Sequence, residues 1–208
     1  MSTTHPSPDE PTPVASLCLF CGANVGARPA YAEAARALGR LLARDGLTLV
    51  YGGGSVGLMN ECATAALAAG GRVVGVITEA LMAREVGHKA LTEMHVVATM
   101  HQRKALMAQR SDAFVVLPGG YGTLDELCEM LTWDQLGIHA KPVVVVNLEG
   151  FFDGFLAQLD RGLADGVLRP EHRAMLSVVG SIDDVPPALR AWQAPAAAKE
   201  WRVGAPRP

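Results

Sequence analysis

Two glycine-rich loops, each set directly behind a short apolar run, constrain this chain more than any other feature: Tyr51-Gly-Gly-Gly-Ser-Val-Gly57 and Pro118-Gly-Gly-Tyr-Gly-Thr123. A short apolar run bounded by glycine reads as a strand buried on both faces. Glycine in the turn that follows lets successive backbone N–H groups face a phosphate at the positive end of the next helix. The pattern predicts strand-loop-helix units and a phosphorylated small-molecule ligand.

Such units recur along the sequence. Strands are expected at 16–21, 47–51, 72–78, 95–98, 113–117 and 142–147, and helices at 31–45, 58–69, 100–110, 124–136 and 152–164. Shorter helical stretches are expected at 171–176 and 183–192, with an irregular region at 79–93. The helix at 100–110 carries its own start signal, the capping box Thr99-x-x-Gln102. Near-continuous apolar strands alternating with helices specify an α/β fold, a Rossmann-like doubly wound parallel sheet. The 208 residues suit a single domain, placed at 14–192, with a proline-rich disordered tail at 1–13 and a loose tail at 193–208. In such sheets ligands bind outside the carboxyl ends of the strands, where both glycine loops emerge, so one shared site is expected.

A net charge of -3 argues against broad nucleic-acid or membrane-surface binding, so any anion site is local. No apolar stretch is long enough to span a bilayer, and the first dozen residues lack a hydrophobic signal core, which makes the cytoplasm the expected compartment. Cys18-Leu-Phe-Cys21 has the spacing of redox pairs and zinc knuckles. It lies within a strand, and no second pair completes a metal site, so buried structural thiols are the expectation.

The first loop formally matches a dinucleotide fingerprint, Gly52-x-Gly54-x-x-Gly57, with Glu79 at the end of the next strand. It follows the second strand rather than the first, which weakens a nicotinamide reading, and tight turns for helix packing explain the glycines as well. No Gly-Lys-Ser/Thr occurs, so a Walker A loop is excluded. Pyridoxal phosphate needs a lysine for its Schiff base. Of Lys89, Lys104, Lys141 and Lys199, only Lys104 is a candidate, and its neighbour Arg103 suggests an anion-holding pair instead. That pair sits early in its helix, where the macrodipole disfavours cations by about 0.3–1 kcal/mol each, although a solvated helix face is an alternative. Glu126 also has two readings. Thr123-x-x-Glu126 is a capping box, and it is equally a carboxylate placed to address a part of the ligand beyond the phosphate.

Taken together, Cys21-Gly22, Tyr51 to Met59, Met100-His-Gln-Arg-Lys104, Leu117-Pro-Gly-Gly-Tyr-Gly-Thr-Leu-Asp-Glu126 and Thr132-Trp-Asp-Gln-Leu-Gly137 resemble the LONELY GUY family of cytokinin-activating phosphoribohydrolases, once labelled "lysine decarboxylase-like". The resemblance runs from about Ser16 to Leu176. It implies hydrolysis of the N-glycosidic bond of a purine nucleoside 5′-monophosphate, such as AMP or a cytokinin nucleotide, giving free base and ribose 5-phosphate. By the same resemblance Arg103 and Glu126 are the catalytic pair. Lys104, Gly119, Gly120, Tyr121, Gly122, Thr123, Thr132 and Gly53 are implied as substrate-binding residues, with no cofactor or metal and a homodimer. Ala23, Asn60 and Asp125 depart from commoner family spellings and bear on substrate preference. A nucleotide-binding or nucleotide-sensing protein without turnover is the alternative expectation.

Overall fold

In the computed structural model, which describes residues 14–84, 87–88 and 90–194, strands and helices alternate along the chain. The order is β1 (Ser16–Phe20), α1 (Pro29–Arg44), β2 (Thr48–Tyr51), α2 (Gly57–Ala68), β3 (Val73–Thr78), α3 (Glu79–Met82), β4 (Glu93–Val97) and α4 (Met100–Gln109). It continues through β5 (Ala113–Val116), α5 (Tyr121–Gln135), β6 (Val143–Val146), α6 (Asp153–Ala164), α7 (Pro170–Arg173), β7 (Leu176–Val179) and α8 (Val185–Ala191). The expected tail at 1–13, and all but the first two residues of the one at 193–208, lie outside the described residues.

The seven strands form one sheet in the order β4-β3-β2-β1-β5-β6-β7, and every pairing is parallel. The chain winds outward from β1 in one direction through β4, then returns to β5 on the other side of β1. The crevice between the carboxyl ends of β1 and β5 is therefore the switch point, where loops diverge and a ligand can enter.

Alternation along β1 explains why both faces are covered. Leu17 and Leu19 join a core shared with α1, α2 and α8, whereas Cys18 and Phe20 join the opposite core with residues of α4, α5 and α6. Each fully buried Leu, Val or Phe of these layers contributes about 1.5–3 kcal/mol relative to exposure. The same alternation places Cys18 and Cys21 in different cores, so their CxxC spacing does not bring the thiols together. Both thiols are pushed well above their ordinary pKa, chiefly by burial.

Two end signals fix α4, the helix that carries Arg103. The Thr99 hydroxyl accepts the Gln102 N–H at 3.2 Å while the Gln102 side chain accepts the Thr99 N–H at 3.2 Å, the capping box expected from the sequence. At the other end Lys141 Nζ donates to the Ala108 and Ser111 carbonyls at 2.7 and 2.6 Å, a cation on the negative pole of the helix.

Three sequence expectations are corrected. The stretch 171–176 is not one helix: α7 ends at Arg173, and Leu176 begins a seventh strand that continues the sheet beyond β6. The region 79–93 contains α3, whose first turn is capped by the Thr78 hydroxyl. Finally, α5 starts at Tyr121 rather than Leu124, with Gly120 as its N-cap and no side-chain cap. Thr123 and Glu126 thus lie within the helix, and the capping-box reading of that pair is overturned.

Candidate active site

The loops behind β1 and β5 meet at the switch point. Gly22 donates its N–H to the Pro118 carbonyl at 2.9 Å, and around this junction opens a cavity of about 510 Å³, within the range of small-molecule sites. Its walls include Cys21 to Gly26 from the β1 loop, Gly52 and Met59 from the first glycine loop and α2, Arg103 and Met107 from α4, and Pro118 to Thr123 with Glu126. Tyr31, Leu81 and Phe151 close it with apolar surface.

The two glycine loops part company here. The N-terminus of α2 is already occupied, because Leu58 donates its N–H to the Gly22 carbonyl at 3.0 Å. A Cβ on Gly57 would lie 2.2 Å from the carbonyl carbon of Ala23, so the β1 loop fills the space a pyrophosphate needs in the dinucleotide reading. The N-terminus of α5 opens into the cavity instead. The first N–H groups of any helix lack intrahelical partners, and here Gly120, Tyr121 and Gly122 are exposed where a phosphate can reach them. Gly119 allows the loop to fold down onto the helix: a Cβ there would stand 2.1 Å from the Thr123 hydroxyl oxygen.

Arg103 is buried, contrary to a solvated helix face, and three of its nitrogens are accounted for. Nε donates to the Val76 carbonyl at 2.9 Å, one terminal nitrogen to the Gly52 carbonyl at 3.1 Å, and the other lies 3.5 Å from Glu126 Oε1. Carbonyls just beyond β2 and within β3 therefore hold the guanidinium rigidly. The close approach requires glycine at 52, where a Cβ would come within 1.9 Å of the guanidinium.

Glu126 meets that guanidinium with a side chain only 12% exposed. Burial pushes its pKa up to about 7; Arg103 opposes the rise, Asp125 adds to it, Lys104 opposes it and Glu129 adds to it. A carboxyl poised near neutrality beside a fixed cation, on the wall of a cavity that also holds the exposed N-terminus of α5, suits general acid-base work.

The structure brings Arg103, Glu126, Gly119, Gly120, Tyr121, Gly122 and Thr123 onto one cavity wall. Lys104, Gly53 and Thr132 are not part of it. Lys104 pairs with Asp125 and Glu129, each at 3.0 Å. Gly53 turns its carbonyl to the His88 N–H at 3.3 Å, and the exposed Thr132 donates its hydroxyl to the Cys128 carbonyl at 2.7 Å. Sequence reasoning missed Asn24, Tyr31 and Phe151 as wall residues. The signal for them was the strand order, since only knowing that β1 lies beside β5 makes the loop after β1 part of the site.

A pyridoxal phosphate site does not fit this cavity, because no lysine among the described residues lines it. Lys104 is held by two carboxylates and Lys141 caps α4.

Comparison with known proteins adds an independent line. A family model described as "Possible lysine decarboxylase" matches residues 59–189. The rice "Probable cytokinin riboside 5'-monophosphate phosphoribohydrolase LOGL9" (Oryza sativa subsp. japonica) is 52% identical over 76% of this chain and 69% of its own. The "Cytokinin riboside 5'-monophosphate phosphoribohydrolase" of Rhodococcoides fascians is 45% identical over 91% of this chain and 96% of its own. Among solved structures, the molybdenum cofactor carrier protein of Chlamydomonas reinhardtii superposes with a TM-score of 0.64 at 22% identity, over 84% of this chain and 95% of that one, a likeness that shows the fold alone. The match over most of the folded chain and the relatives near half identity agree with the motifs now seen around one cavity, and the chain belongs to the LONELY GUY family of cytokinin riboside 5′-monophosphate phosphoribohydrolases.

Proposed function

We propose that this protein hydrolyses the N-glycosidic bond of adenine-type nucleoside 5′-monophosphates, cytokinin nucleotides among them, to free base and ribose 5-phosphate. The observation that carries the reading is the placement of Glu126 five residues into α5, about 7.5 Å along the axis from its first residue Tyr121, on the same wall as the glycine cradle. That spacing suits a 5′-phosphate at the helix end and the ribose beside the carboxylate.

In this reading the N–H groups at Tyr121, Gly122 and Thr123 receive the phosphate, with the helix dipole favouring its charge. As the bond between C1′ and the base nitrogen breaks, positive charge grows on the ribose ring, and the Glu126 carboxylate stabilises it and takes a proton from the attacking water. The oxygen of water bonds to C1′, and the base leaves with the bonding electrons and is protonated from solvent, to which Glu126 returns the proton it took from water. Arg103, fixed by Gly52 and Val76, keeps Glu126 in place and supplies the charge that makes ionisation accessible near pH 7. Gly119 and Gly120 shape the cradle. Lys104, Gly53 and Thr132 act in this reading from outside the cavity wall.

Acceptance of AMP alongside prenylated nucleotides belongs to the proposal, as do a homodimer and a cytoplasmic setting. Tyr121, 95% exposed at the cavity mouth, and the exposed Met100 support a second copy covering this edge. The test is chromatography of purified protein with AMP, isopentenyladenosine 5′-monophosphate and adenosine. Both nucleotides are expected to release base, with adenosine slower by 100-fold or more; intact nucleotides contradict the hydrolase reading. Thermal stabilisation by the nucleotides with no product formed points instead to a binding protein. Light scattering checks the dimer.

A further inference from the structure

Lys104 follows Arg103 on α4, yet its ammonium serves a different set of groups. Its side chain is 9% exposed, and Nζ lies 3.0 Å from Asp125 Oδ2 and 3.0 Å from Glu129 Oε2. The Asp125 contact is a hydrogen bond; the Glu129 oxygen is at ion-pair distance but off the hydrogen-bond direction. Removing an ammonium from water is unfavourable by several kcal/mol unless partners compensate it, and two carboxylates one helical turn apart repel unless a cation stands between them. The ammonium hydrogen-bonds Asp125 and lends its charge to Glu129, whose Oε2 has no hydrogen-bond partner among the described residues.

Their position gives the cluster its meaning. Asp125 precedes Glu126 in sequence and Glu129 follows it by three residues, so α5 presents three carboxylates within five residues to two adjacent cations on α4. Arg103 ties α4 to the sheet through Val76 of β3 and Gly52 just after β2, and Lys104 ties α5 to α4. Glu126 sits between the two ties.

We propose that Lys104 is a positioning residue of the hydrolytic site: bridging Asp125 and Glu129, it holds the start of α5 against α4, sets Glu126 opposite Arg103, and offsets part of the negative charge flanking Glu126. The inference rests on the reading of Glu126 as the working carboxylate, and it assigns the lysine a task away from the phosphate. The charged and titratable groups around Glu126 are Arg103 and Lys104 from α4, Asp125 and Glu129 from α5, and the thiols of Cys18 and Cys21 at β1, which burial keeps protonated. Loss of Lys104 alone leaves Asp125 and Glu129 uncompensated and drives Glu126 toward its neutral form. Loss of all three charges together removes more negative than positive charge and leaves Glu126 facing Arg103 with its ionised form favoured relative to wild type.

The test uses the full chain as wild type, Lys104→Met, the triple variant Lys104→Met/Asp125→Asn/Glu129→Gln, and the double variant Asp125→Asn/Glu129→Gln. The Glu126 carboxyl is titrated by carbon-13 NMR, and kcat and KM for AMP and isopentenyladenosine 5′-monophosphate are followed from pH 5 to 9. Lys104→Met is expected to raise the Glu126 midpoint and the acid limb of kcat by about one pH unit, with KM changed less than twofold. The double variant is expected to lower both below the wild-type position, and the triple variant to place them above the double variant but still below wild type, because the loss of Asp125 outweighs the loss of Lys104. A tenfold rise in KM in both lysine variants with an unmoved midpoint assigns the lysine to phosphate and overturns the proposal. So does a Glu126 midpoint that none of the variants moves; if Lys104→Met fails to fold, the double variant alone decides this. An inactive wild type whose Glu126 midpoint still responds to Lys104→Met refutes the hydrolase reading while leaving the charge coupling intact.

Discussion

Replacing Glu126 by Gln is expected to abolish turnover and at the same time stabilise the protein at alkaline pH. Glu126 has a folded pKa of about 7 against 4.5 for the free side chain, the shift coming first from burial. The folded state therefore binds this proton more tightly than the unfolded state, and wild-type stability falls as pH rises through the window from 4.5 to 7. Linkage over that shift makes the charge unfavourable by about 0.8 kcal/mol at pH 5 and about 3 kcal/mol at pH 8. Gln carries no charge at either pH. Urea unfolding followed by tryptophan fluorescence is expected to show the stability of Glu126→Gln minus wild type growing by about 2.5 kcal/mol from pH 5 to pH 8, or roughly 5–10 °C in Tm for a chain of this size. The slope is the diagnostic quantity, since any pH-independent effect of the amide shifts both ends equally. A flat difference means that Arg103 fully compensates the carboxylate, which refutes the account of a poised acid.

Asp134 is a control for the same physics outside the site: it is fully buried on α5, neither carboxylate oxygen has a hydrogen-bond partner among the described residues, and burial raises its pKa to about 6. Asp134→Asn is expected to add about 1–3 kcal/mol of stability at pH 8 and little at pH 4, with kcat unchanged, as read by urea unfolding and base release. Gly52→Ala displaces the Arg103 guanidinium, so kcat is expected to fall 10²-fold or more while the far-ultraviolet circular dichroism stays native. Gly119→Ala clashes with the Thr123 hydroxyl and is expected to raise KM for nucleoside monophosphates tenfold or more, with much less effect on kcat. If catalysis needs the Glu126 carboxylate, kcat/KM for AMP falls as pH drops below about 7, and a wild-type acid limb near pH 4.5 contradicts the burial effect.

The parallel sheet was legible because its central strands are near-continuous apolar runs such as Ala113–Val116 and Val143–Val146. β7 was not, because Leu176-Ser-Val-Val is short and half-exposed and follows helical-looking Glu171-His-Arg, so only pairing with β6 decides it. That Arg103 and Glu126 share one cavity wall agrees with the motif that singled them out. The competing roles offered for them, a helix cap and a solvated face, dissolve only when α5 is seen to start at Tyr121 and α4 to bury its cations. Lys104 shows the opposite limit: adjacency to Arg103 in sequence suggested a shared anion, whereas successive helix positions diverge by about 100° and bring it to Asp125 and Glu129. The pairing of loops across β1 and β5 depends on strand order, which no local pattern encodes.

The most direct measurement is single-turnover base release from isopentenyladenosine 5′-monophosphate by wild type and Glu126→Gln, with nucleotide binding to each followed by calorimetry. The account predicts that binding stays within about threefold while the rate of base release drops 10²- to 10⁴-fold, the range of a lost acid-base group. Base release at the wild-type rate by Glu126→Gln contradicts it.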